Sequence, residues 1–176
     1  IRVLQVWGLS SLMALYVSVI RGTPLLVQIF IFYYGLPSVG IELSPITAGI
    51  LTLTLNVAAY MSETLRGSIN AVTQGQWQAG TSLGLTRDQT LRYVVGPQAL
   101  RAAVPSLSNS LISLIKDTSL VSVIAVTELM LATKELISTT FQPFPLYLAA
   151  AAIYWVLSLS FEQIQRWMEK RVAYPY

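Results

Sequence analysis

The segment LSPITAGILTLTLNVAAYMS, at residues 43–62, contains no charged residue. Glu42 precedes it and Glu63 follows it. An α-helix needs about 20 mostly apolar residues to cross the hydrocarbon core of a bilayer. Pro45 suits the first turn of such a helix, because the N–H that proline lacks would have no partner there. The segment therefore predicts a helix that spans a membrane.

Three other windows extend this pattern to a bundle of about four spans. LLVQIFIFYYGL at 25–36 lies in one charge-free window, and LYLAAAAIYWVLSLSF at 146–161 lies in the longest one. A shorter window at 102–115 is interrupted by Lys116 and Asp117 before TSLVSVIAVT continues it, which predicts a span broken near Lys116. The serine-containing window 3–20 has two interpretations: an interfacial helix, or the lower part of a long helix that continues into the first span.

The composition supports a membrane protein. Of the 176 residues, 54% are hydrophobic and 11% are charged, whereas soluble domains carry roughly 25% charged residues. The chain has 0 Cys and 0 His, so it offers no thiol chemistry and lacks the commonest metal ligand. No metal site is predicted, and the scattered basic residues do not form a nucleic-acid-binding stripe. The sequence therefore predicts an all-α, polytopic membrane bundle forming a single domain over residues 1–176.

The basic residues orient the bundle. Loops on the cytoplasmic side of a membrane carry an excess of Lys and Arg. If the first span runs outward and the next ones alternate, only Lys116 and Lys134 leave that side. The cytoplasmic segments then hold Arg2, Arg21, Arg66, Arg87, Arg92, Arg101, Arg166, Lys170 and Arg171.

The polar loop at residues 67–97 contains helix-capping signals. Thr73 and Gln76 have the spacing of a capping box, which predicts a short helix from Gln74. Gly84 fits the position after a helix, where a left-handed residue ends it. A second capping box begins at Thr86. The loop is thus predicted to form two helices that meet at a sharp corner, the second of them broken at Gly96–Pro97, with a further kink at Pro105.

At this point the sequence resembles a known family. QGQWQAGTSLGLTRDQTLRYVVGPQALR, at 74–101, is similar to the EAA loop of permease subunits of ATP-binding-cassette (ABC) importers, in particular the polar amino-acid subfamily. Gly75, Gln76, Trp77, Ala79, Gly84 and Pro97 match its pattern. Further segments similar to that subfamily are RGTPLLVQ at 21–28, LNVAAYMSETLRG at 55–67 and NSLISLIKDTSL at 109–120.

The sequence departs from the pattern at three positions. Gln78 stands in place of the glutamate, Gly80 in place of the second alanine, and Gly96 in place of the leucine before the proline. Any contact that depends on the glutamate carboxylate is therefore not expected here. The family typically has five spans, so its first span is expected to precede Ile1.

The resemblance implies that the loop is a coupling helix seated in a groove of a cytoplasmic ATPase subunit. The chain has no Gly-Lys pair and therefore no phosphate-binding loop. ATP and Mg²⁺ are accordingly expected in the partner chain, and no cofactor or catalytic residue in this one. The expected partners are ABC ATPase subunits, a second permease subunit (the same or homologous), an extracytoplasmic amino-acid-binding protein and the lipid membrane. Candidate docking residues are Gln78, Ala79, Gly80, Gly84 and Arg87.

The substrate route is sought among polar residues at membrane depth, because such residues are energetically costly there and are therefore functional candidates. Lys116 and Asp117 could hold the two charges of a zwitterionic amino acid, or could instead form a structural ion pair or lie at the outer interface. Asn56 and Tyr60 share one face of the second span, where Asn56 is expected to hydrogen-bond to another helix. Asn109 and Ser119 complete the candidate route.

Charged residues near the cytoplasmic end of the second span are candidate gate or scaffold residues. Glu63 and Arg66 have the spacing of an i,i+3 pair, and Arg21 could be another partner of Glu63. We expect these three side chains to lie close together.

Two other classes of protein remain as alternatives. An ion-coupled secondary amino-acid transporter or channel subunit should show repeats in two halves, and none is visible. An intramembrane enzyme needs a nucleophile with a base, or metal ligands, and no motif joins the available groups. Among substrates, a cystine-like amino acid is favoured because YYGLP (33–37), GIELSP (40–45) and AAYMSETLRG (58–67) look most like cystine-type permeases.

Overall fold

The computed structural model describes residues 9–172 and the side chains of residues 10–170. Every regular element in that part of the chain is helical, which confirms the all-α prediction. Arg2, which is assigned to the cytoplasmic side, and the first part of the window 3–20 lie outside the described residues. So does the Arg171 side chain.

The chain bends sharply before the segment predicted as the first span. Helix α1 covers Leu9–Gly22, and α2 covers Leu25–Phe30 and continues through a π turn and a 3₁₀ turn to Val39. The two helical runs are bent by 109° at the break between them. Pro24 accounts for this break, because the residue before a proline is pushed out of the helical conformation. The described part of window 3–20 therefore does not continue into the first predicted span as one unbroken helix. Its interpretation as an interfacial helix stays a prediction.

Two helices are long and apolar enough to cross a membrane unbroken. One is α3, Pro45–Ala71, and the other is the Pro143–Lys170 part of α8, Pro143–Val172. Ser44 caps α3, because its side chain accepts a hydrogen bond from the Thr47 N–H. The bent pair α1–α2 is a third crossing if it is counted as one span. The predicted spans at 43–62 and 146–161 are confirmed.

Helix α6, Gly96–Asp117, occupies the fourth predicted window. At 22 residues it is about 33 Å long, enough to cross the bilayer core. Its polar side chains lower its hydropathy, so apolarity alone does not identify α6 as a membrane span. The helix ends at Asp117 and a 3₁₀ segment, Thr118–Ile124, follows directly, so the predicted break near Lys116 is confirmed.

The 3₁₀ segment forms a small core with α2 and α3. Val121 and Ile124 pack with Ile29 of α2 and Ala48 of α3, and all four are buried. Gly49 lets this segment approach α3 closely, because a Cβ there would lie 3.1 Å from the Val121 Cγ1 atom. This packing holds the end of α6 against the first two spans.

Helix α7, Leu129–Thr140, was not predicted from the sequence. Glu128 caps it, accepting hydrogen bonds from the N–H groups of Met130 and Leu131. The Tyr154 hydroxyl of α8 donates to the same carboxylate at 2.9 Å. Glu128 therefore ties the short helix to the last span.

The loop after α3 folds into the predicted corner. Helix α4, Gln74–Ser82, ends in a Schellman motif, with the Leu85 N–H donating to the Gly80 carbonyl and the Gly84 N–H to the Thr81 carbonyl. Gly84 is left-handed, with φ of +80°. A complete capping box between Thr86 and Gln89 then starts α5, Arg87–Thr90.

Two expectations for the loop are wrong. Thr73 is the N-cap of α4, but its side chain makes no capping hydrogen bond, and Gln76 bonds instead to Gln98 of α6 at 3.0 Å. Gly96–Pro97 does not break the second helix. A π turn, in which the Gly96 N–H donates to the Leu91 carbonyl, runs directly into α6, and proline is tolerated in a first helical turn.

Pro105 lies inside α6, and the helix continues through it. The kink expected at this proline stays a prediction. Helices α5 and α6, with the π turn at Leu91–Val95 between them, thus form one continuous helical run from the corner to Asp117.

Candidate substrate route and coupling corner

A cavity of about 380 Å³ lies between the α1–α2 turn, α3 and α6, and we call it the central cavity. Its polar lining combines amides, hydroxyls and one carboxylate. These residues are Thr23, Asn56, Tyr60, Asn109, Ser110, Ser113 and Asp117, and the apolar ones are Pro24, Leu25, Leu53, Val57, Leu114 and Leu120. The structure therefore brings together four of the six residues predicted for the substrate route.

The other two predicted residues lie elsewhere. Lys116 is exposed and is absent from the cavity lining, although Asp117 beside it is in the lining. Successive residues of a helix point about 100° apart, so adjacent side chains reach different surroundings. Ser119 is also outside the lining, and its hydroxyl donates to the Lys116 carbonyl at 2.7 Å. The proposed ammonium and carboxylate pair at Lys116 and Asp117 is therefore not formed within this cavity.

One wall of the cavity is fixed by a buried glutamine. The Gln28 amide nitrogen donates to the carbonyls of Ile20 and Thr23 and to the Thr23 hydroxyl, at 2.8 to 3.1 Å. Its amide oxygen accepts from the Asn56 side chain at 3.0 Å. Gln28 thereby closes the α1–α2 turn and joins it to α3. The predicted interhelical hydrogen bond of Asn56 is confirmed.

Replacing Gln28 by leucine should destabilise the protein. The change would leave the Asn56 amide and two backbone carbonyls of the turn without these partners, and each unsatisfied buried group costs about 1–3 kcal/mol. We expect a lower unfolding temperature for Gln28→Leu in detergent, with Gln163→Leu, at an exposed glutamine of α8, as the control. Equal unfolding temperatures in the two variants would show that the hydrogen bonds of Gln28 contribute little to stability.

A second cavity, of about 330 Å³, lies beside the first, toward the end of α3 that leads to the loop. We call it the loop-side cavity, and its lining residues are Arg21, Tyr60, Glu63, Thr64 and Arg66. Arg66 makes two-pronged hydrogen bonds to the Glu63 carboxylate, the shortest at 2.8 Å. The Arg21 guanidinium lies 3.6 Å from the same carboxylate and 5.5 Å from the centre of the Tyr60 ring. The predicted cluster of Arg21, Glu63 and Arg66 is confirmed.

Tyr60 lines both cavities. The α1–α2 turn is divided in the same way, with Arg21 on the loop-side cavity and Thr23 and Pro24 on the central one. Tyr60 and this turn therefore form the partition between the two cavities.

The corner between α4 and α5, at residues 74–90, presents an exposed tip. Gln78, Ala79, Gly84 and Arg87 are exposed, and Leu83 beside them is 80% exposed. Their contact with an ATPase subunit stays a prediction.

Gly80 does not belong to that exposed tip. It is buried against Thr90 of α5, and a Cβ added to it would lie 2.4 Å from the Thr90 methyl carbon and 2.7 Å from the hydroxyl oxygen. Gly80 therefore sets the distance between α4 and α5 within the chain itself. Its prediction as a residue that touches the partner is wrong.

Two residues that shape the site, Gln28 and Thr90, were not identified from the sequence. Gln28 is a polar side chain within an otherwise apolar window, and that signal could have placed it in the interior. Thr90 gave no signal, because its importance depends on the angle at which α4 and α5 meet. For a metal, no group of three His, Cys, Asp or Glu side chains comes together within the described part of the chain.

Known proteins are similar to this chain over nearly its whole length. The family described as "Binding-protein-dependent transport system inner membrane component" matches residues 5–174. The L-cystine transport system permease protein TcyB of Bacillus subtilis is 44% identical over 172 residues, covering 97% of this chain and 74% of TcyB. The glutamine transport system permease protein GlnP of Escherichia coli is 38% identical over 168 residues, covering 94% of this chain and 77% of GlnP.

A solved structure has the same fold. The crystal structure of an amino acid ABC transporter with histidines superposes with a TM-score of 0.89 at 38% identity, covering 95% of this chain and 78% of that one. The family match and the apolar helices also place the chain in the cytoplasmic membrane, which it crosses several times. The chain therefore belongs to the family of inner membrane components of binding-protein-dependent transport systems, as a permease subunit.

Proposed function

We propose that this permease subunit moves a polar L-amino acid through the central cavity, and that ATP hydrolysis in partner subunits drives the movement through the corner at α4–α5. One observation carries the proposal. The corner joins α3 to α6, and these two helices form most of the central cavity wall. A displacement of the corner would therefore act directly on both walls of the route.

The chemistry of the cavity suits a polar amino acid. Asp117 offers a negative charge to an α-ammonium group, and Asn56 and Asn109 offer amides to polar atoms of the ligand. A cystine-like substrate is our first proposal because TcyB is named as an L-cystine permease. Glutamine is the second candidate, since GlnP is named as a glutamine permease.

The proposed partners follow from the family and from the composition of the chain. ABC ATPase subunits would bind ATP and Mg²⁺, because this chain has no phosphate-binding loop. A second permease subunit and an extracytoplasmic amino-acid-binding protein would complete the assembly, and this chain would itself perform no covalent reaction. An ion-coupled secondary transporter is not favoured, since the relatives are ABC permeases and the rigid corner would have no role there.

Gly84→Leu should uncouple ATP hydrolysis from uptake. A side chain with a Cβ pays roughly 1–2 kcal/mol in the left-handed conformation that Gly84 adopts, so the exposed tip should shift or fray. No atom of the described part of the chain lies within 4 Å of a Cβ there, so the effect comes from the backbone and not from a clash. We expect uptake into proteoliposomes to fall severalfold per ATP hydrolysed, while the chain still inserts in the membrane.

Two controls accompany Gly84→Leu. Gly84→Asn should retain most of the coupling, because asparagine tolerates the left-handed conformation. Gly75→Ala should have little effect, because its Cβ would also meet no atom of the described residues within 4 Å and its φ is negative. Normal coupling in Gly84→Leu would count against the docking role of the tip.

A further inference from the structure

The loop-side cavity has a positive side chain that is only loosely paired. Arg21 is within ion-pair distance of Glu63 at 3.6 Å, but it makes no hydrogen bond to that carboxylate. Arg66, by contrast, binds the same carboxylate through two nitrogens. Among the described residues of this cavity there are thus two guanidinium groups and one carboxylate. The Arg21 side chain is 46% exposed, so an incoming group can reach it.

The central cavity has the opposite charge. Asp117 is the one charged residue of its described lining, and no Lys or Arg contributes to it. It can hold an ammonium group but has no cation for a carboxylate. The two cavities therefore divide between them the two charges that a free amino acid carries.

We propose that the loop-side cavity is a second binding site on the route, in which Arg21 binds the α-carboxylate of the amino acid after it has passed Tyr60. The proposal rests on the proposed function and adds a location and a residue to it. Guanidinium groups bind carboxylates through two parallel hydrogen bonds. When Arg21 turns toward the amino acid, Arg66 still neutralises the negative charge of Glu63. The cavity volume of about 330 Å³ lies within the range of small-ligand sites.

The position of Arg21 on the route indicates that its ligand is the transported amino acid and not another anion. Its guanidinium lies over the ring of Tyr60, the residue that borders both cavities. A group leaving the central cavity past Tyr60 would therefore meet Arg21 first. A lipid phosphate would bind the same guanidinium, and the experiment must separate these two sources of negative charge.

The test is equilibrium binding of radiolabelled L-cystine, and separately of L-glutamine, to the complete transporter without its binding protein. The transporter is placed in nanodiscs of phosphatidylcholine alone, so that no anionic lipid is present. Asp117→Asn isolates the loop-side site, and Arg21→Gln should weaken the remaining binding by about 10- to 100-fold, the weight of a charged hydrogen-bonded pair. The α-carboxamide of the same amino acid should fail to compete there, since it has no carboxylate.

Two further variants keep the inference open to refutation. Arg21→Lys retains the positive charge and should bind the amino acid more tightly than Arg21→Gln does. Such a partial recovery would show that Arg21→Gln loses affinity because it loses the charge, and not because it misfolds. Arg92→Gln, at the arginine that stacks on Tyr93 outside both cavities, should bind as the unmodified chain does.

The outcomes separate the two proposals. Unchanged binding in Arg21→Gln would overturn the loop-side site while leaving the central route intact. No binding of either amino acid to any form, together with unaltered uptake in Asp117→Asn, would remove the proposed route as well. Binding of added phosphatidylglycerol that Arg21→Gln removes, in a transporter whose loop-side cavity binds no amino acid, would identify a lipid site and so overturn the inference.

Discussion

Gly80→Ala should reduce ATP-driven uptake by on the order of tenfold or more, because overpacking of a tight contact costs about 1–3 kcal/mol and sometimes more. The new methyl group would lie 2.4 Å from the Thr90 methyl carbon, closer than non-bonded carbon atoms can approach. Thr90 is completely buried, so it has little room to move away. The expected consequence is that α4 and α5 separate and the exposed tip is displaced from the position that a partner subunit requires.

A second substitution provides the control for Gly80→Ala. Thr90→Ala removes the methyl carbon and the hydroxyl, and it leaves the Thr90 Cβ at 3.0 Å from the new atom, a tight but smaller overlap. Gly80→Ala with Thr90→Ala should therefore recover a large part of the uptake that Gly80→Ala loses. Among the described residues the Thr90 hydroxyl has no hydrogen-bond partner, so Thr90→Ala alone should be mild. Full uptake in Gly80→Ala would contradict the fixed spacing of the corner.

Asp117→Asn should lower uptake by about tenfold at limiting amino acid, because a charge-assisted hydrogen bond contributes roughly 1.5–3 kcal/mol and every 1.4 kcal/mol is a factor of ten. The substitution keeps the size of the side chain and removes its charge from the central cavity. Assembly with the ATPase subunit should be unchanged, since Asp117 lies at the opposite end of α6 from the corner.

Lys116→Gln is the matched control for Asp117→Asn. The two residues are adjacent, both are charged and both lie in the last turn of α6, but only Asp117 lines the cavity. We expect uptake within about twofold of the unmodified value for Lys116→Gln. Equal losses in both variants would mean that the charge stabilises the end of the helix and does not touch the amino acid.

The sequence was most informative where a local rule determines the structure. The charge-free windows located α3 and α8, and the adjacent charges at Lys116 and Asp117 marked the end of α6. Gly84 and the Thr86 capping box were recognisable because helix ends depend on a few neighbouring residues. The cluster of Glu63 and Arg66 followed from helical spacing alone.

The sequence was less informative where separate helices meet. Gly80 looked like a residue open to a partner, but Thr90 covers it, and that contact depends on the angle of the corner. The same limit applies to Lys116, which helical spacing alone could not exclude from the cavity. Thr73 had the spacing of a capping box, but its partner Gln76 is drawn to Gln98 of another helix.

The central claim is that this chain works as the membrane part of an ATP-driven amino-acid importer. The most direct measurement is to purify the tagged chain from its native membranes in mild detergent, identify the proteins that accompany it and assay ATP hydrolysis. We expect a stoichiometric ATPase subunit whose hydrolysis is stimulated by an amino-acid-loaded binding protein. A chain that purifies alone, with no nucleotide hydrolysis, would contradict it.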